Sequence, residues 1–228
     1  MADVPQIRLP GQAAAAPGPL DMTNMYLAHH GFRRDLGRLV TAVCEVSPRD
    51  RDRIDRLRKQ LAWVLFVLHH HHRAEDLTVW PLLRARAAEA AEVMDAMEAE
   101  HAEAAKWIAE CESAFAAFAR EPSEPGRAEL ATALRALADT VGAHLAHEET
   151  MAIPLMQAHI SAAEDARGHR DIQRQYGPRQ MFTLLGWLID GLPDDAADRL
   201  RSQAPPPMRL LAAVAGFCYR RRTSGLWS

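Results

Sequence analysis

One pattern occurs twice in this chain. His71, Glu75 and Pro81 stand as His-x-x-x-Glu-x-x-x-x-x-Pro, and His144, Glu148 and Pro154 repeat both spacings. A step of four residues returns to the same face of an α-helix, so each copy aims an imidazole and a carboxylate in one direction. A chain that carries two such pairs inward needs at least two helices facing each other. Nitrogen and oxygen donors in that arrangement suit a pair of iron or manganese ions better than structural zinc, which favours thiolates and closes at four ligands.

The rest of the chain reads as helix. Ala, Leu, Glu and Arg dominate, and no alternating β-branched run occurs. Helix one is expected over 21–46, with Asp21 or Thr23 as N-cap and Phe32, Leu36, Leu39 and Val43 on its apolar stripe. Helix two starts near Asp50 and carries Ile54, Leu57, Leu61, Val64 and Leu68 before His71 and Glu75; Pro81 should end or kink it. Helix three is expected over 88–119 with Val93, Met97, His101, Ile108 and Phe115 aligned, and helix four over 127–159 with Leu134, Leu137, Val141, His144 and Glu148 aligned. Four long amphipathic helices with short connections imply an all-α, up-down-up-down four-helix bundle. Beyond residue 160, glycines and prolines divide the chain into shorter pieces, of which 180–190 and 208–220 read as extra C-terminal helices. The expected organisation is a flexible N-terminal arm (1–20), the bundle (21–160) and a helical extension packing on it (161–228).

Apart from His159 and His169, the 11 histidines fall in four clusters, one per expected helix: His29 and His30, His69 to His72, His101, and His144 with His147. A lone histidine on an apolar face is commonly a satisfied core residue, and paired acids such as Glu75-Asp76 or Glu148-Glu149 commonly line a solvated face. The conjunction argues otherwise, because buried carboxylates are costly unless paired or metal-bound. Heptad register selects the inward histidine of helix one. His29 precedes Leu36 and Val43 by the steps that separate His101 from Ile108 and Phe115, whereas His30 would align Gly37 and Cys44. On helix two His71 continues the stripe, with His72 as its rival; His69 and His70 should lie off the core face.

These residues resemble the hemerythrin-like family, bundles with a histidine-histidine-glutamate cation-binding signature. The resemblance rests on 25–36 with His29, on 69–76 running to Trp80-Pro-Leu-Leu83, on Glu100-His101, and on 144–149 running to Ile153-Pro-Leu155; it covers about 22–158. It implies a non-haem di-iron centre with an oxo or hydroxo bridge, manganese being an alternative in one site. His29 and His71 would bind one iron, His101 and His144 the other, and Glu75 and Glu148 would bridge them. His72, His147, His30, Asp76 and Glu149 are candidates for an extra ligand or for the groups that fix the imidazoles. No catalytic residue beyond the metal centre is implied.

The oxygen-carrying members use five histidines, unevenly shared. Two histidines per metal in matching halves would leave open positions on both irons, which favours an oxidoreductase reacting with dioxygen, peroxide or nitric oxide and acting on a small organic substrate. The alternative is a sensor or store that binds such ligands or iron without turnover, and a fifth histidine from His72 or His147 would favour a carrier. Composition excludes other classes. A net charge of -3 gives no basic footprint for nucleic acid. No apolar run reaches the ~18 residues of a membrane span. Three scattered cysteines and the lack of a signal-peptide pattern point to the cytoplasm.

Overall fold

The computed structural model describes residues 3–227. Met1, Ala2 and Ser228, which close the expected arm and extension, lie outside the described residues. The fold is all-α, a helical bundle with further helices C-terminal to it. In chain order the helices are α1 (Thr23–Glu45), α2 (Arg51–Ala74), α3 (Trp80–Arg86), α4 (Ala90–Arg120), α5 (Glu124–His147), α6 (Ile153–His159), α7 (Ala162–Arg174), α8 (Pro178–Leu188), α9 (Asp194–Gln203) and α10 (Pro206–Thr223). No helix among the described residues is long and apolar enough to cross a membrane.

The chain divides into two compact units. One holds 1–31 and 149–224, the other 32–148 and 225–228. In the second unit α2 and α5 pack on α4, and α3 packs against α4 as well. Asp50 caps α2 by accepting from the Arg53 amide at 3.0 Å, and Ser123 caps α5 by accepting from Gly126. Asp35 of α1 is fully buried and accepts from Gln60 of α2 and from Arg34, so this acid sits inside the unit with its charge answered. On α4 the buried residues are Ala90, Met94, Met97, His101, Ala104, Cys111, Ala114, Phe115 and Phe118, with Val93 and Ile108 at the edge of the stripe. Helix three therefore turns slightly from the face expected of it, but keeps His101 inside.

Both copies of the repeated motif share a local deviation. The segments Glu75–Val79 and Glu148–Ala152 are single π-helical turns, each opening on the glutamate and closing just before the proline. In the first, the Trp80 amide bonds the Glu75 carbonyl five residues back, and the Thr78 hydroxyl donates to the Ala74 carbonyl at 2.6 Å. In a regular α-helix the Pro81 ring would strike the carbonyl four residues earlier. The wider turn makes room, so the helix passes its proline where the sequence suggested an end or a kink. A π turn also inserts one residue into the helical register, and the apolar stripe duly slips by one: Trp80 and Leu83 are fully buried, while Val79 and Leu82 are not.

In the first unit α8 and α10 pack together. A Cβ on Gly186 would lie 2.5 Å from the Ala215 carbonyl oxygen, and one on Gly31 would lie 2.6 Å from the Trp187 ring, so both glycines are seats for close neighbours. Trp187, Tyr176 and Tyr219 are buried core side chains of this unit. Residues 3–20 form no helix, yet Ile7, Leu9 and Leu20 are buried. Leu20 exchanges two hydrogen bonds with the Gln157 amide of α6, at 2.8 and 3.0 Å.

Two predictions follow from this packing. Gly186→Ala should lower stability by about 1–3 kcal/mol, since backbone must shift to admit the methyl. Gly142→Ala, with nothing within 4 Å of the new carbon, should raise it by about 0.5–1 kcal/mol; denaturant unfolding checks both. His169 is held above the ordinary imidazole pKa by its hydrogen bond to Asp165, against the effect of burial. The proton is bound more tightly in the folded chain, so the stability it contributes is present below the ordinary imidazole pKa and is lost as pH rises through the raised one. Asp165→Asn should flatten the melting temperature against pH in that window.

Candidate metal centre

Within the second unit, α2, α4 and α5 bring His71, His72, His101 and His144 inward, and the π turns that follow α2 and α5 open on Glu75 and Glu148. His72, Glu75, His101, His144 and Glu148 are buried, and the His71 side chain is 11% exposed. The ligand atoms of His72, His101 and His144 lie within 4.8 Å of one another, and so do those of Glu75, His144 and Glu148.

Hydrogen bonds at the far side of two rings decide which nitrogen faces inward. His101 Nδ1 lies 2.8 Å from Asp76 Oδ1, and His144 Nδ1 lies 2.9 Å from Glu100 Oε2. A carboxylate accepts, so each Nδ1 carries the proton and each Nε2 presents a lone pair. The two Nε2 atoms face each other at 3.2 Å. Neutral rings in these tautomers have no proton to share there. Burial first, and then the neighbouring His144, hold His101 below the ordinary imidazole pKa, against the pull of Asp76, which disfavours resolving the conflict by protonating the ring.

Glu75 meets the same difficulty. Its Oε1 is 3.2 Å from His71 Nε2 and its Oε2 is 3.6 Å from His101 Nε2, yet neither oxygen has a hydrogen-bond donor among the described residues. Burial, with the nearby Glu148 and Asp76, raises its carboxyl well above the ordinary range. A bound cation would favour the carboxylate form that burial opposes. Lone pairs converging from imidazoles and carboxylates in a buried space are the donor set that iron or manganese takes, so the residues fit the expected metal.

The supporting groups are carboxylates. Asp76, a sequence candidate for an extra ligand or for fixing an imidazole, holds His101. Glu100 is shared between His144 and His147, whose Nδ1 lies 2.7 Å from Oε1. Burial pushes Glu100 up, but the hydrogen bonds from the two histidines outweigh it and leave the carboxyl below its ordinary value. His147 thus serves Glu100 rather than the inward group. Sequence reasoning gave Glu100 no role. It lies next to His101, one step round α4 and toward α5, and its partners are 44 and 47 residues away, a relation no local spacing reveals.

His71 and His72 divide their work. His71 pairs with Glu75, while His72 stacks on His101 with ring centroids 4.0 Å apart and planes 11° apart. The sequence weighed them as rivals; both are inward. His70 bonds its own helix at the Phe66 carbonyl and His69 is exposed. In the first unit His29 and His30 are both buried, and His29 Nδ1 lies 2.8 Å from Glu149 Oε1.

An all-α bundle with inward histidines and glutamates on facing helices is the build of a cation-binding helical protein. The family model of the hemerythrin HHE cation binding domain matches residues 21–156, more than half of the chain, and the chain belongs to that family. No curated protein and no solved structure matches it.

Glu100→Gln should leave the fold intact and weaken metal binding about 10- to 100-fold, because the amide no longer holds the His144 tautomer. Metal-to-protein ratios after dialysis against a chelator measure this.

Proposed function

We propose that the chain is a cytoplasmic non-haem di-iron protein that binds dioxygen or a related small ligand, nitric oxide or peroxide, at its metal centre. The observation that carries the metal reading is the pair of inward lone pairs on His101 and His144, each imposed by a carboxylate behind the ring. His71, His72, Glu75, His101, His144 and Glu148 are the donors, and His29 joins them on the resemblance. Two bound iron ions would supply redox electrons and an open position for the ligand. The protein's own part is to hold each donor in one tautomer, to keep water from the buried donors, and to offset cation charge with Glu75 and Glu148.

His72 bears on the choice between binding and turnover. With it, three histidines gather in one group, and the matched halves that favoured an oxidoreductase give way to an uneven set. Such a set supports ligand binding over attack on an organic substrate.

Iron-loaded, reduced protein should develop an absorbance band on exposure to oxygen and lose it when oxygen is withdrawn. Bleaching with sustained turnover of peroxide or of an added organic reductant would overturn the binding reading. His72→Ala should reduce metal retention and abolish reversibility, while His69→Ala should do neither. Metal analysis giving manganese with iron would revise the cofactor alone.

A further inference from the structure

The N-terminal segment, expected as a flexible arm, reaches a group beside a candidate ligand. The Ala13 amide donates to Glu149 Oε2 at 2.6 Å, and the other oxygen of Glu149 lies 2.8 Å from His29 Nδ1. All three residues belong to the first unit. His29 and Glu149 are fully buried. One carboxylate thus ties a backbone amide of the N-terminal segment to the ring of a histidine 16 residues further on.

The segment is built to aim that amide. Pro10-Gly11 makes a turn with Gly11 at φ +79°, a left-handed conformation that suits glycine. Gln12 closes the turn: its side-chain oxygen accepts from the Leu9 amide at 2.9 Å, and its side-chain nitrogen donates to the Ala14 carbonyl at 2.7 Å. Three residues past Ala13, the Ala16 amide donates to the buried Tyr26 hydroxyl of α1 at 3.2 Å. Gln157 then holds Leu20. Ala13 is therefore pinned on both sides, and its N–H is delivered to Glu149 by backbone geometry rather than by a side chain.

We propose that residues 9–20 are a strap whose Ala13 amide fixes Glu149 and so sets His29 as the Nδ1–H tautomer, making the N-terminal segment a positioning element for His29, the ligand that the resemblance implies. This rests on His29 being a ligand. A carboxylate with one oxygen anchored by an amide has one orientation left for the other, and the ring that donates to it must offer Nε2 as its lone pair. The strap does for His29 what Asp76 and Glu100 do for His101 and His144, with a backbone donor adding the anchor.

The test uses the full chain and two readouts. In the metal-free protein, long-range proton–nitrogen correlation spectra should report His29 as Nδ1–H. Ala13→Gly, which keeps the amide, should preserve that signal; Ala13→Pro, which removes it, should give a mixture of tautomers. Glu149→Gln, whose amide can donate to the ring, should shift the ring toward Nε2–H and serves if the proline variant does not fold. Competition with a chelator for ferrous iron, without oxygen, should show affinity about 10- to 100-fold lower in Ala13→Pro and Glu149→Gln and unchanged in Ala13→Gly. A wild-type ring protonated on Nε2, or a proline variant indistinguishable from the glycine one in both readouts, would overturn the strap. A shifted tautomer with unchanged iron affinity would instead remove His29 from the ligands, and with it the strap's role at the metal, while the histidine–glutamate site of the second unit would stand.

Discussion

Two imidazole lone pairs directed at each other are the constraint around which this protein is arranged. His101 and His144 sit on helices that pack together, and each ring is locked from behind by a carboxylate. Left alone, the facing Nε2 atoms repel, and the buried Glu75 adds oxygens with no donor. Such an interior is held by the surrounding apolar packing and satisfied by a cation. Phe115, Phe118, Leu134, Leu137 and Val141, all buried, supply that packing along α4 and α5.

The repeated proline is part of the same design. It forces a π turn that begins on the glutamate, and π turns break the regular hydrogen-bond ladder where a carboxylate has to be presented. The one-residue slip that follows carries Trp80 into the core. Histidine, glutamate and proline are thus a single local device, used once on each of two helices. Its function is to combine an inward donor pair with a continuing helix.

Much of this was legible in the sequence because helices write their inward faces at a fixed period. The all-α class, the four long helices and the inward histidine and glutamate of each motif follow from spacing. What was hidden depends on distance along the chain or on departures from the period. His72 could be offered only as a rival to His71 or as an extra ligand, because helical period alone does not show that neighbouring residues at the helix end both reach inside. The role of Glu100 was hidden because its partners are on another helix. The register slip after Pro81 needed the π turn. The order of residues 3–20 was masked by their Ala, Pro and Gly content, which reads as loose chain; the hydrogen bonds that hold them run to Tyr26, Glu149 and Gln157, and composition says nothing of those.

The contact between Gly31 and Trp187 has a consequence for how such chains vary. Only a hydrogen atom separates the helix backbone from the indole at that point. A chain of this family that lacked α8 would have no reason to keep glycine after the paired histidines, and helix propensity would favour alanine there. Glycine at this position and the presence of the C-terminal helices should therefore be inherited together, so that a single residue beside His29 and His30 marks which members carry the extension.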